Sequence, residues 1–339
     1  MFTLPKFRTP ECRTRRCFMA GLALALSAAM APLGSAQAAK KDDGGDKIIV
    51  SGASGGLAGE TIQALLGRGV KPADLVLVTR TPEKLSSYAA NGASVRAGDF
   101  SKPETLEAAF AGGKQLLLIS TNGGDRVAQH TAAISAARRA GIRRIVYTSF
   151  TNATTDNAAT MAEDHRLTED ALMKSGVPYT ILRNQLYMDG LVAEAALAIR
   201  RGDLYTNSAK GKWAPVARQD CAAVAAVVLT TTGHEGKVYD ITGPDLINRQ
   251  EFAKLITDVT GKRVRVIEMD DATFIQHAVQ GGMSEALAKS DASLGIAMRA
   301  NSLNIKSEAL QILLTRKPES VRDMLTENRS LLVAAAAGR

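Results

Sequence analysis

With 339 residues, 45% of them hydrophobic and 22% charged, the chain has the composition of an ordinary globular protein and the length for one large domain or two small ones. Its net charge of +8 does not mark a nucleic-acid binder: half of it lies in Lys6, Arg8, Arg13, Arg15 and Arg16 (against Glu11) of the first 38 residues, no basic block follows, and aromatics are only 4%. Cys12 and Cys17 also fall in that segment, which leaves Cys221 without an internal disulfide partner, and His130, His165, His234 and His277 lack metal-ligand spacing.

Residues 1–38 read as an export leader. A basic start leads into an apolar run, Phe18 to Leu33, and then the small-x-small cleavage signal Ala36-Gln37-Ala38. The run is too short and Ala-rich for a permanent membrane span, and none is expected in the remainder. Thr14-Arg15-Arg16-Cys17-Phe18-Met19 fits the twin-arginine pattern. The expected partner is therefore the twin-arginine export machinery, which carries folded proteins. The expected location is the periplasm, with cleavage after Ala38. An ordinary secretory leader with incidental arginines is the competing reading. Residues 39–46 read as a solvated linker.

The rest of the chain alternates. KIIVSG, DLVLVTR, ASVRAGD, KQLLLIS, IRRIVYTS and PYTILR are short apolar runs bounded by glycine or charge, and helical spacing fills the intervals between the first five. That pattern predicts parallel βαβ units. Beyond Asn184 it loosens into helices, among them CAAVAAVVLTTTG and NRQEFAKLITDVTG, the latter opened by Asn248 and stopped by Gly261. The expected fold class is α/β: a Rossmann-type doubly wound parallel sheet over 47–185 and a smaller, mostly helical C-terminal lobe over 186–330. Residues 237–243 are expected to return to the main sheet and 331–339 to form a tail.

Gly52-Ala53-Ser54-Gly55-Gly56-Leu57-Ala58 follows the first strand and opens the first helix, the context that a dinucleotide-binding loop needs. Gly52 permits the tight turn, Gly55 lets backbone approach a pyrophosphate, and the helix N-terminus offers its N–H groups. Ala58 replaces the usual third glycine. Arg80 ends the second strand where an NAD enzyme usually has an acidic residue. An arginine there suits a 2′-phosphate, with Lys84 assisting, so NADPH is favoured over NADH. Asp99-Phe100 reads either as an adenine pocket or as a turn aspartate beside a core phenylalanine. Ser120-Thr121-Asn122, after the fourth strand, reads as cofactor contact or as a helix cap.

Together the stretches GASGGLAG, LLLIS, AGIRRIVYTS, DHRLTEDAL, SGVPYTILRN and GHEGKVYDITG resemble an atypical, NmrA-like short-chain dehydrogenase, most of all its NAD(P)H:quinone oxidoreductase branch. The resemblance spans nearly all of 47–330. It implies a Rossmann domain, a small lobe and an NADPH hydride donor. It places Gly52, Ser54, Gly55, Gly56, Leu57, Arg80 and Ser120 to Asn122 at the cofactor. Thr148, Ser149, His165 and Arg183 to Tyr187 fall along the nicotinamide and the substrate.

One departure bears on chemistry. Ordinary short-chain dehydrogenases carry Tyr-x-x-x-Lys downstream of a serine, whereas here Met161 and His165 stand at that spacing from Ser149. Hydride addition to a ketone makes an alkoxide, whose conjugate acid has a pKa near that of water, about 15.7. A reduced quinone is a phenolate, at about 10. The missing tyrosine therefore argues against ketones and fits quinone-like, azo or other electron-poor acceptors, with water or His165 as proton source. Candidate catalytic residues are His165, Asn184 and Tyr187; the competing readings are a packed histidine, a helix cap and core packing. Arg218 and Asp220 read as a cap and ion pair supporting the lobe, and Cys221 as buried and inert. The alternative function is a non-catalytic NAD(P)-binding redox sensor.

Overall fold

The structure, a computed structural model, describes residues 46–121 and 123–337. The expected leader, the linker up to residue 45, Asn122 and the last two residues lie outside the described residues.

The strands are β1 Ile48–Ser51, β2 Leu75–Thr79, β3 Ser94–Ala97, β4 Gln115–Leu118, β5 Arg144–Phe150, β6 Tyr179–Asn184, β7 Asp203–Thr206, β8 Lys237–Ile241 and β9 Arg265–Glu268. The helices are α1 Gly56–Gly67, α2 Ser86–Ala90, α3 Leu106–Phe110, α4 Arg126–Arg139, α5 Thr160–Lys174, α6 Asp189–Arg201, α7 Arg218–Thr230, α8 Arg249–Thr260, α9 Asp271–Gln280, α10 Glu285–Arg299, α11 Ala309–Leu314, α12 Val321–Glu327 and α13 Arg329–Ala337.

Among the described residues, seven strands form one sheet in the order β3-β2-β1-β4-β5-β6-β8, every neighbouring pair parallel. Central strands of such a sheet are covered on both faces, which is why β1, β2 and β5 are apolar or small at nearly every position and fully buried. Alternate residues serve opposite layers. Val50 and Leu117 join Ile62 and Leu65 of α1, whereas Ile49 and Leu116 join Phe110, Ile134 and Ala137 on the other face. The order of connection reverses between β1 and β4. The loops leaving the strand carboxyl ends separate there and open a crevice.

The chain returns to the sheet before residue 237. Helix α7 packs along α1, with Ala222, Val224, Ala225 and Val228 in the same core as Ala58, Ile62 and Leu65. It therefore belongs to the sheet's covering layer, while β8 extends the sheet itself beside β6. Its alanines, with Ala58, allow the two helix axes to come close. Cys221 is buried within this contact, and desolvation pushes its thiol pKa well up. The lobe has its own core, in which Trp213, Phe252, Ile256, Leu303 and Leu325 join α6, α8, α10 and α12. Strands β7 and β9 form a two-stranded parallel ribbon at its edge. Asn248 and Glu251 close a reciprocal capping box on α8, and Gly261 ends that helix in the left-handed region at φ 72°.

Candidate cofactor cleft and active site

The first loop is fixed from below. Ser51 Oγ donates to Leu117 O at 3.0 Å and accepts from Ile119 N at 2.9 Å, which ties the ends of β1 and β4 together. Gly52 has φ +60°, where an L side chain costs roughly 1–2 kcal/mol. Gly55 N donates to Gly52 O at 2.8 Å, and Gly55 is the extended N-cap of α1 with no side-chain cap. The first-turn N–H groups of α1 thus meet no capping side chain, the arrangement that receives an anion. Ser54 Oγ lies 2.8 Å from Thr79 Oγ1, which pins the loop to β2.

Above this loop is a cleft of about 780 Å³, within the size range of small-molecule sites. Its walls include Gly52, Ser54, Gly55, Gly56 and Leu57, then Arg80, then Asp99 and Phe100, then Ser120 and Thr121, and finally Tyr187 and Arg218. Arg80 is exposed and forms no hydrogen bond or ion pair among the described residues. Lys84 sits on the following short turn, exposed and outside the cleft wall. Asp99 combines both of its sequence readings: it lines the cleft, and its Oδ1 accepts from Ser101 N at 2.9 Å and Ser101 Oγ at 2.8 Å. Those bonds, helped by Arg80 and Lys102, hold its carboxyl below the usual range.

The opposite end is built from β4, β5 and β6. Ser120 N donates to Thr148 Oγ1 at 3.0 Å, so Thr148 supports the wall from one layer behind. Thr121 N donates to His130 Nε2 at 3.0 Å. Asn184, 4% exposed, donates through Nδ2 to Tyr187 Oη at 3.0 Å. Burial, the largest influence, pushes the Tyr187 phenol pKa up. Asn184 Oδ1 and Thr121 Oγ1 are buried without a partner. Buried polar atoms normally find partners, so this end retains polar capacity for a bound group.

These features are matched by known proteins. A model of NAD(P)H-binding proteins matches residues 52–232. Quinone oxidoreductase 2 of Escherichia coli is 34% identical over 286 residues, 83% of this chain and 99% of that protein. The chain belongs to the NAD(P)H-binding, NmrA-like family. The solved structure of the E. coli NADPH-dependent quinone oxidoreductase with NADPH superposes with a TM-score of 0.79 at 32% identity, covering 83% of this chain and 99% of that one. The Citrobacter triphenylmethane reductase with NADP(H) gives 0.78 at 33%, covering 86% and 100%. Fold and family make this chain an NAD(P)H-dependent oxidoreductase.

In this family member the glycine loop, the uncapped α1 terminus, the exposed Arg80 and the two orphaned polar atoms are groups that would suit a bound dinucleotide. The residues at the Tyr-x-x-x-Lys spacing do something else. Ser149 Oγ donates to Glu169 Oε1 at 2.5 Å, and Glu169 is held by Arg183 Nε at 2.9 Å and Nη2 at 2.6 Å. Met161 packs against the lobe core. His165, 5% exposed, is 2.7 Å from Tyr147 Oη through Nδ1 and is absent from the cleft wall. Burial pushes the pKa of both His165 and His130 down to about 3, leaving neutral imidazoles. The structure thus gathers the loop, Arg80, Asp99, Phe100, Ser120, Thr121 and Tyr187 around one space, with Asn184 and Thr148 directly behind. It leaves Lys84, Ser149 and His165 outside. Arg218 was read as lobe support, and its N–H does cap onto Asp189 Oδ2 at 2.9 Å. Its side chain, however, reaches the cleft, while Asp220 pairs separately with Arg316 at 2.5 Å.

Proposed function

We propose that the chain is an NADPH-dependent reductase of quinone-like and similarly electron-poor acceptors. The observation that carries this reading is a cleft whose wall carries the exposed guanidinium of Arg80 and, toward β6, the Tyr187 side chain held from behind by Asn184. When bound, the nicotinamide supplies the hydride. The chain's own groups bind, orient and protonate. Asn184 Nδ2 occupies the acceptor side of Tyr187 Oη, so the phenolic proton remains available to an acceptor oxygen in the cleft. The acceptor gains two electrons and a hydrogen as hydride and then one proton, from Tyr187 or water.

No group at the family's usual acid position serves the cleft, because Ser149 is committed to Glu169 and His165 to Tyr147. The chemistry must therefore tolerate weak acid assistance. A phenolate product meets that demand, being more stable than an alkoxide by roughly six pKa units, about 8 kcal/mol. Likeness to proteins named quinone oxidoreductase and triphenylmethane reductase supports the same acceptor class. NADPH consumption with purified protein tests it: a simple quinone accelerates the loss and a simple ketone does not. Tight NADPH binding without quinone-dependent loss would instead support a non-catalytic redox sensor.

We also propose that the chain is exported to the periplasm already folded, with its nucleotide in place. Arg15-Arg16 and the apolar run behind them support this.

A further inference from the structure

Helices α1 and α7 run side by side in the same direction. Arg218 meets Glu60 near their starts, and Arg68 Nε donates to Thr230 Oγ1 at 2.7 Å near their ends. Two helix N-termini therefore open at one edge of the cleft. Arg218, the first residue of α7, lies flat across Gly56: a Cβ added there would come within 3.0 Å of Arg218 Cζ and 3.1 Å of Nη1. Glycine at 56 thus serves the guanidinium as well as the loop. Nε and Nη2 donate to Glu60 Oε1 at 2.9 and 2.8 Å, and Nη2 also faces Asp189 Oδ1 at 3.2 Å. Nη1 has no partner among the described residues. Two nitrogens of a rigid planar fork are held from behind, which fixes the direction of the third.

We propose that Arg218 binds the pyrophosphate of the dinucleotide through Nη1, with Glu60 and Asp189 as its positioning residues. The proposal rests on the cofactor reading above and deepens it. The phosphates are the oxyanions that an uncapped α1 terminus attracts, and a guanidinium on the adjoining glycine supplies the charge-assisted donor that matches them. The residue comes from beyond the lobe's first helix, α6, so cofactor affinity depends on a segment 162 residues from Gly56 in sequence being folded against the loop.

The pyrophosphate is common to NADPH and NADH, whereas the 2′-phosphate is not. Dissociation constants for both dinucleotides, measured by fluorescence at low and moderate salt on wild type, Arg218→Gln and Arg80→Gln, therefore separate the two arginines. Arg218→Gln is expected to weaken NADPH and NADH by the same factor, about tenfold or more, and to flatten the salt dependence for both. Arg80→Gln is expected to weaken NADPH alone. Arg218→Gln with unchanged or tighter binding of either dinucleotide overturns the proposal, and wild type that binds neither overturns the cofactor reading itself. Should Arg218→Gln fail to fold, Arg218→Lys, which keeps the charge but not the fork, is expected to weaken both dinucleotides equally. Equal affinity in that variant counts against the assignment.

Discussion

Asn184 Nδ2 donates to Tyr187 Oη at 3.0 Å while Asn184 Oδ1 is buried and unpartnered. The pair aims one phenolic proton and leaves one amide oxygen free beside the cleft. Tyr187→Phe should lower kcat by about tenfold for a simple quinone and by more for an acceptor whose reduced anion is more basic, because proton donation then matters more. Ser149→Ala should change kcat less than about threefold, since its hydroxyl serves Glu169. Steady-state rates across a series of substituted quinones check both; a Tyr187→Phe effect that is flat across the series would remove its role as donor.

Arg80 stands exposed at the end of β2 with no hydrogen bond or ion pair among the described residues. Arg80→Gln should cost about 1.5–3 kcal/mol of NADPH binding, a factor of roughly 10–150, and leave NADH within a few-fold. Calorimetric titration of the two dinucleotides reads this directly. An equal loss for both would show that Arg80 does not read the 2′-phosphate.

His130 and His165 make folding pH-dependent. Thr121 N donates to His130 Nε2, and Tyr147 Oη lies 2.7 Å from His165 Nδ1. Both pKa values fall from 6.5 to about 3 in the folded chain. The unfolded chain binds these protons first as pH drops, so stability is full above pH 6.5 and is lost between 6.5 and 3. The slope approaches about 1.4 kcal/mol per pH unit for each histidine. Denaturant midpoints at pH 7 and pH 5 should differ accordingly, and His130→Gln should reduce the difference. Equal stability at the two pH values would show that the imidazoles are not buried neutral.

Much of this was legible in the sequence. The run from Ile48 through the glycines into α1 is readable because strand, turn and helix N-terminus are all local. The apolar strands announced a parallel sheet because both faces are covered. Long-range pairing was not readable. Helix α7 is apolar on nearly all sides, a pattern that gives burial but not the layer, so its packing on α1 and the reach of Arg218 to Gly56 had no local signal. His165 has the spacing of a catalytic lysine, but its position is decided by Tyr147 on β5, which turns the ring toward the interior. Arg218 and Asp220, two residues apart, looked like one ion pair. On the helix they point to different neighbours, Glu60 and Arg316.

The proposed export route depends on two arginines ahead of the fold. Arg15→Lys combined with Arg16→Lys should hold the full-length chain in the cytoplasm, whereas the unsubstituted chain should be found in the periplasmic fraction, shortened by about the first 38 residues. Fractionation followed by mass measurement checks both. Unchanged export of the double variant would assign the leader to the general secretory route.

The central claim is that one cleft grips NADPH and passes its hydride to a quinone-like acceptor. Nucleotide-free protein, titrated with NADPH and then mixed anaerobically with one equivalent of a simple quinone, tests it in a single turnover. The account predicts one NADPH bound per chain and one hydroquinone formed per NADPH lost. Protein that binds no NADPH, or that keeps it reduced in the presence of the quinone, would contradict it.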